Sequence, residues 1–126
     1  MKKIILGCFI AIALTGCATT EDFFAIKPVP TSNIGLWTGA HNQISVATLK
    51  LNNDGTGIIC QDYMGTAKSV SVKFYNNKIY TQDGSYWRFS ELSPDTLKLD
   101  YAIGGSYVLK KDTDGKMVTP ACKDKI

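Results

Sequence analysis

The chain has 126 residues, with 14 basic and 11 acidic side chains, one His and four Cys. That length fits a single domain. A formal charge of +3 with no basic stripe interleaved with aromatics gives nucleic acid no footing. The small clusters Lys110-Lys111 and Lys123/Lys125 stand beside Asp112, Asp114 and Asp124 and read as solvated turns.

The chain opens on Lys2 and Lys3, followed by a nearly continuous apolar run from Ile4 to Leu14. The run is shorter than the roughly 20 residues a membrane-spanning helix needs. A positive start, a short apolar stretch and small residues before a processing point are the parts of a secretory signal. Leu14-Thr15-Gly16-Cys17 resembles the lipobox of bacterial lipoproteins. The resemblance covers residues 1–17. It implies a signal peptide over 1–16, cleavage before Cys17, a thioether-linked lipid on Cys17 and acylation of its new amine. Each buried CH₂ adds about 0.8 kcal/mol, so two or three acyl chains hold the protein to the membrane. In lipoprotein families the residue after the cysteine influences sorting, and Ala18 is not the Asp of an inner-membrane retention signal. The expectation is an outer-membrane anchor facing the periplasm. An ordinary cleaved signal or a buried apolar helix is the competing reading.

Cleavage would leave 110 residues (126 less 16) and a nearly neutral chain, because Lys2 and Lys3 leave with the signal. Residues 17–33 then read as lipid anchor and flexible tether, with Pro28, Pro30, Thr31, Ser32 and Asn33 as linker chemistry. Glu21 to Ile26 makes at most one helical turn, and Phe23 and Phe24 either pack on the domain edge or dip into lipid. Cys60 and Cys122 remain as a pair in an oxidising compartment, which points to a disulfide. A two-thiol metal site is the alternative, although the only His, His41, is distant from both in sequence.

From Ile34 to Ile126 short strands alternate with turn signals. Gly35 to Gly39 opens the domain and Gln43 to Leu51 follows. Asn52-Asn53-Asp54-Gly55 is hairpin chemistry, since these residues accept positive φ readily. Thr56 to Cys60 returns. Lys68 to Tyr75 places Val70, Val72 and Phe74 on one face. Asn76-Asn77 and Asp83-Gly84 separate Lys78–Gln82 from Ser85–Leu92, where Trp87 and Phe89 share a face. Thr96 to Ala102 points Leu97, Leu99 and Tyr101 inward. Gly104-Gly105 leads to Ser106–Lys111, and Asp112-Thr113-Asp114-Gly115 leads to a last short strand ending at Cys122. Tight turns permit only antiparallel neighbours. The prediction is an all-β antiparallel meander of about eight short strands, a small barrel or a sandwich. A Cys60–Cys122 bond would tie the last strand to an early one.

Gly35-Leu36-Trp37 resembles the Gly-x-Trp opening of lipocalins and related calycin barrels, in which the Trp plugs one barrel end. That likeness implies a carrier of a small apolar ligand. The shortness of the domain instead predicts a barrel filled by its own side chains. A lipobox ahead of a disulfide-linked β-domain is also similar to periplasmic lysozyme-inhibitor lipoproteins, which offer a Gly/Ser loop to an enzyme cleft. Gly104, Gly105 and Ser106 are the candidate binding loop on that likeness, although the family's downstream Trp and Lys-Gly segment is missing.

Catalysis and metal binding find little support. Asp112-x-Asp114-Gly115 begins like a calcium loop but lacks the later ligands, and reads as a turn with two exposed acids. No Ser/His/Asp or Cys/His set can be built around His41 from sequence order. Asp54, Asp62, Asp83, Glu91, Asp95 and Asp100 fall at turns or on solvent faces. The reading is a non-catalytic binding or structural module. It needs no cofactor or metal, meets the membrane through its N-terminal lipid, and takes a protein or envelope partner.

Overall fold

The computed structural model describes residues 20–42 and 44–126. The expected signal peptide, 1–16, and the expected lipid attachment site, Cys17, lie outside the described residues. A short helix α1 (Thr20–Ala25) precedes eight strands: β1 (Gly35–His41), β2 (Ser45–Leu51), β3 (Thr56–Tyr63), β4 (Thr66–Tyr75), β5 (Lys78–Thr81), β6 (Tyr86–Ser93), β7 (Thr96–Tyr101) and β8 (Ser106–Lys111). A helical turn, α2 (Pro120–Lys123), follows. The strands pair in sequence order, all antiparallel, and β1 closes on β8. The architecture is therefore a closed barrel rather than a sandwich, and closure leaves no sheet edge.

Turn chemistry sets this order. Asn76 and Asn77 both take positive φ, 54° and 56°, and link β4 to β5 in two residues. Alternation then fills the interior. Trp37, Leu49, Ile59, Val72, Ile79, Leu97, Leu99 and Leu109 are all buried on the inner face. Each such side chain contributes roughly 1.5–3 kcal/mol by leaving water. Val70, Phe74 and Phe89, from the same inward set, are partly buried against that core.

One barrel end is shut. Trp37 sits inside it and donates its Nε1–H to the Asn33 carbonyl at 3.1 Å. The segment expected as a tether crosses this end, with Val29 N–H bonded to the Phe74 carbonyl at 3.0 Å and Thr31 N–H to that of Asn53 at 3.3 Å. Gly55 lets the segment pass: with φ of +90°, a Cβ there would lie 2.2 Å from the Val29 carbonyl oxygen. Lys73 Nζ donates to the Phe23 and Ile26 carbonyls at 2.8 and 3.0 Å, capping the carbonyl end of α1 with positive charge. Phe23 packs on the domain, while Phe24 remains exposed.

The C-terminal tail corrects two expectations. Cys122 belongs to the helical turn α2, not to a strand. Pro120 starts that turn, where a missing N–H is harmless. The Cys60–Cys122 disulfide pins α2 onto the outside of the barrel, with Val118 beneath. Thr38, Thr48 and Cys60 are opposite one another on neighbouring strands, so the tail covers one outward-facing row of β1, β2 and β3. Asp112 is buried there, not exposed. It accepts from Thr38 Oγ1 at 3.0 Å and from Met117 N–H at 3.1 Å. Asp62 is also buried rather than solvated, and its Oδ1 accepts from Gly65 N–H at 2.7 Å. These acids escaped the alternation because their burial depends on a distant segment or on a turn's own backbone.

Candidate functional site

The opposite end of the barrel is open. Inward positions through the middle of the barrel are apolar, but along β2, β3, β4, β7 and β8 the last inward residues toward this end turn polar or aromatic. Ser45, Gln61, Lys68, Tyr101 and Tyr107, together with His41 at the end of β1, surround a basin of about 520 Å³. A smaller recess of about 170 Å³ shares Gln61, Lys68 and Tyr101 with it and adds Thr81, Asp83, Ser85 and Trp87.

The basin floor is a hydrogen-bonded set. Ser45 Oγ and the Tyr107 hydroxyl share a bond at 2.5 Å. Gln61 Nε2 donates to the Tyr107 and Tyr101 hydroxyls at 3.0 and 3.1 Å. His41 Nδ1–H donates to the Ser106 carbonyl at 2.8 Å, so Nε2 accepts from the Asn42 amide. The aromatic rings brace one another: Tyr101 lies 5.5 Å from Trp87 and 5.8 Å from both Tyr107 and His41, centroid to centroid. Burial, and then the Tyr107 hydroxyl, push the Tyr101 phenol up to about 12, so it is not a base at neutral pH.

Asp83 closes the recess as an ionised acceptor. The Ser85 hydroxyl at 2.6 Å, the Thr81 hydroxyl and the Ser85 N–H at 2.9 Å all donate to its Oδ1. These bonds lower its carboxyl from 3.8 to about 2, with a smaller contribution from Lys68. A depressed folded value means the stabilisation is fully present above the unfolded value near 3.8. It is lost as pH falls through about 2. An NMR carboxyl titration should therefore place the Asp83 midpoint near 2, and Thr81→Val should move it upward. A midpoint at 3.8 in the wild type would show that the hydroxyls do not hold it.

The rim around this mouth is apolar. Ile44, Tyr63, Met64 and Ile103 are 46, 56, 78 and 99 % exposed and come from three of the four turns at this end. Met64 stands in the left-handed region, φ 54°, an unusual conformation for such a side chain. The fourth turn, Gln82 to Ser85, is polar.

The structure brings the predicted loop residues to this mouth. Gly104 and Gly105 make the β7–β8 turn, and the Gly105 carbonyl accepts from Tyr101 N–H at 2.9 Å. Ser106 donates to Asp100 at 2.6 Å. A Cβ on Gly105 would lie 2.8 Å from His41 Cε1, so the loop is buttressed by the imidazole. Cys60 and Cys122 lie elsewhere, on the outer wall. Sequence reasoning missed Gln61 and Lys68, although each sits two residues from an inward apolar neighbour, Ile59 and Val70. Among the described residues, no three of His, Cys, Asp or Glu gather in a metal-binding group.

An eight-stranded meander closed on itself, plugged by a Gly-x-Trp strand at one end and open at the other, defines a lipocalin-like barrel. The chain belongs to the family described as bacterial lipocalin LPS transport optimiser YedD, whose model matches residues 20–126. Among solved structures it is similar to the lipoprotein YedD from Klebsiella pneumoniae subsp. pneumoniae MGH 78578, with a TM-score of 0.60 and 19 % identity, covering 84 % of this chain and 90 % of that one. It is also similar to a lipocalin lipoprotein affecting virulence in Streptococcus pneumoniae, with a TM-score of 0.55 and 20 % identity, covering 67 % and 97 % respectively. At these identities the two structures speak to fold alone. No curated protein matches the chain.

Proposed function

We propose that this protein is a non-catalytic lipoprotein that serves LPS transport at the outer membrane, held by lipid on Cys17 and meeting an envelope partner through the open end of its barrel. The family match across residues 20–126 carries this reading. Large apolar groups are exposed at both ends, Phe24, Tyr75 and Leu92 at the closed one; what supports the choice of the open end is that its apolar rim surrounds a hydrogen-bonded basin. The packed interior weighs against an apolar-ligand carrier, because the volume a tail would need is occupied by Leu49, Ile59, Leu97 and Leu99. Within the candidate loop, Gly104 and Gly105 are tied back by Tyr101, leaving Ile103 as the group that projects.

The test is made with the full-length protein in intact cells. A photoreactive residue in place of Ile103 or Met64 should give discrete crosslinked adducts, while one in place of Tyr75, at the closed end, should not. Adducts from the closed end alone would reverse the assignment. In parallel, Cys17→Ser should move the protein from the membrane to the soluble periplasmic fraction. Retention at wild-type levels would mean that something else anchors it.

A further inference from the structure

From the chemistry of the open mouth we infer that it is a binding site for a sugar ring, with Gln61, Lys68 and Asp83 taking its hydroxyls and the Tyr63 ring taking its C–H face. This deepens the proposed function and rests on the reading that the open end is the working end.

Gln61, Lys68 and Tyr101 line both the 520 Å³ basin and the 170 Å³ recess, so the two hollows adjoin at these three side chains. Around them stand a cation, an anion, a neutral amide, hydroxyls and aromatic rings. Lys68 is an exposed donor and Asp83 an ionised acceptor. Gln61 commits its NH₂ to the two phenols, which turns its carbonyl oxygen into the free half of the amide. In the wall of the recess, the buried Trp87 Nε1–H lies beside the Tyr101 hydroxyl and makes no fully formed hydrogen bond among the described residues. Tyr63 lines the basin with more than half its surface exposed and, among the described residues, makes no side-chain hydrogen bond.

Three classes of ligand can be weighed against this set. A hydrocarbon tail would strip water from Lys68, Asp83 and Gln61 and return no hydrogen bond. A phosphate or carboxylate would gain Lys68 but meet Asp83, which stays negative at neutral pH. A sugar hydroxyl both donates and accepts, so one ring satisfies Asp83, the Gln61 carbonyl and Lys68 together. The non-polar face of the same ring covers an aromatic side chain, which removes apolar surface from water. Opposite charges around a neutral amide, beside an exposed ring, match that polyhydroxylated partner.

The sugar has two chemical sources in an envelope, the saccharide part of a glycolipid and the glycan of the cell wall. The experiment separates them. Mature lipidated protein in lipid nanodiscs is titrated with deacylated LPS core oligosaccharide, and separately with a soluble disaccharide-peptide from peptidoglycan. The NMR signals of the two indole N–H groups are followed. Trp37, bonded to Asn33 at the closed end, serves as the internal reference. The expected result is a saturable shift of the Trp87 signal with one of these sugars, while the Trp37 signal stays still. Response to the core oligosaccharide assigns the glycolipid, and response to the disaccharide-peptide assigns the cell wall. Tyr63→Ala and Lys68→Met should each weaken binding by roughly tenfold. Both are exposed and neither makes a side-chain hydrogen bond among the described residues, so the unfolding midpoint should hold. If neither sugar moves Trp87 at roughly millimolar concentration, or if only inorganic phosphate or dodecanoate does, the sugar site is wrong. Crosslinking at Ile103 that persists in that event would leave the open-end partner reading intact.

Discussion

Removing the disulfide is expected to destabilise the domain by about 4 kcal/mol, the loop-closure contribution for a crosslink spanning 62 residues. In a domain of this size that corresponds to a fall in Tm of about 15–30 °C. Cys60→Ala combined with Cys122→Ala is the cleaner variant, because serine would add a polar group at two positions that are 0 and 1 % exposed. The loss has a specific address. The bond does not join two strands of the barrel; it holds α2 against the outer faces of β3 and β4, where Cys60 and Ala67 pack with Val118 and Cys122. Without it the tail from Asp112 to Ile126 relies on Val118, Ile126 and the Asp112 hydrogen bonds alone. Urea unfolding of the variant and wild type gives the energy, and amide exchange gives the place. Exchange should rise first at Val118 and at the substituted position 122, whose N–H groups are bonded within the wild-type tail, while β7 stays protected. A loss below about 1 kcal/mol would mean that the tail is closed by its own contacts.

Most of the barrel is legible in the sequence because each hairpin announces itself twice, in its turn residues and in its period-two faces. Asn52-Asn53-Asp54-Gly55 and Asn76-Asn77 are turns on chemistry alone, and the inward set Val70, Val72 and Phe74 follows from alternation. The β3–β4 turn is not legible. Met64 precedes Gly65 in a left-handed conformation that nothing about methionine predicts. Strand β3 consequently runs to Tyr63, beyond the expected end at Cys60, and this extension carries Gln61 into the mouth. The N-terminal segment and the tail were harder still. Their apolar residues, Phe23, Val118 and Cys122, are too few and too irregularly spaced to show a period, and they pack on strands remote in sequence. The same limit explains Asp62 and Asp112: each is buried because of a partner that alternation along one strand cannot reveal. The mouth lies between these cases. Its polar residues sit on the inward period, but only closure of the barrel makes them neighbours.

That closure hangs on a glycine. Gly39 lies in β1 opposite Leu109, within the seam where Trp37, Thr38, Gly39 and Ala40 pair with Lys111, Lys110, Leu109 and Val108. A Cβ at Gly39 would stand 1.8 Å from the Val108 carbonyl oxygen, 2.7 Å from its carbon and 2.9 Å from Leu109 Cα. Every one of those atoms is backbone, so no side chain can turn aside, and β8 itself must move away. Gly39→Ala should therefore lose at least about 3 kcal/mol, the upper part of the range for overpacking. It should also expose β1 and β8 as edges prone to pair with other chains. Gly104→Ala supplies the contrast. Its φ is +112°, but a Cβ there meets nothing within 4 Å, so only backbone strain is added, on the order of 1 kcal/mol. Urea midpoints rank the two variants, and amide exchange distinguishes their causes. Gly39→Ala should release protection across β1 and β8 together and weaken the His41–Ser106 bond that ties the seam to the mouth. Gly104→Ala should affect the β7–β8 turn alone. A Gly39→Ala protein within about 1 kcal/mol of wild type, with the β8 amides still protected, would show that the seam can widen without opening. The close approach of β1 and β8 would then not be what seals the barrel.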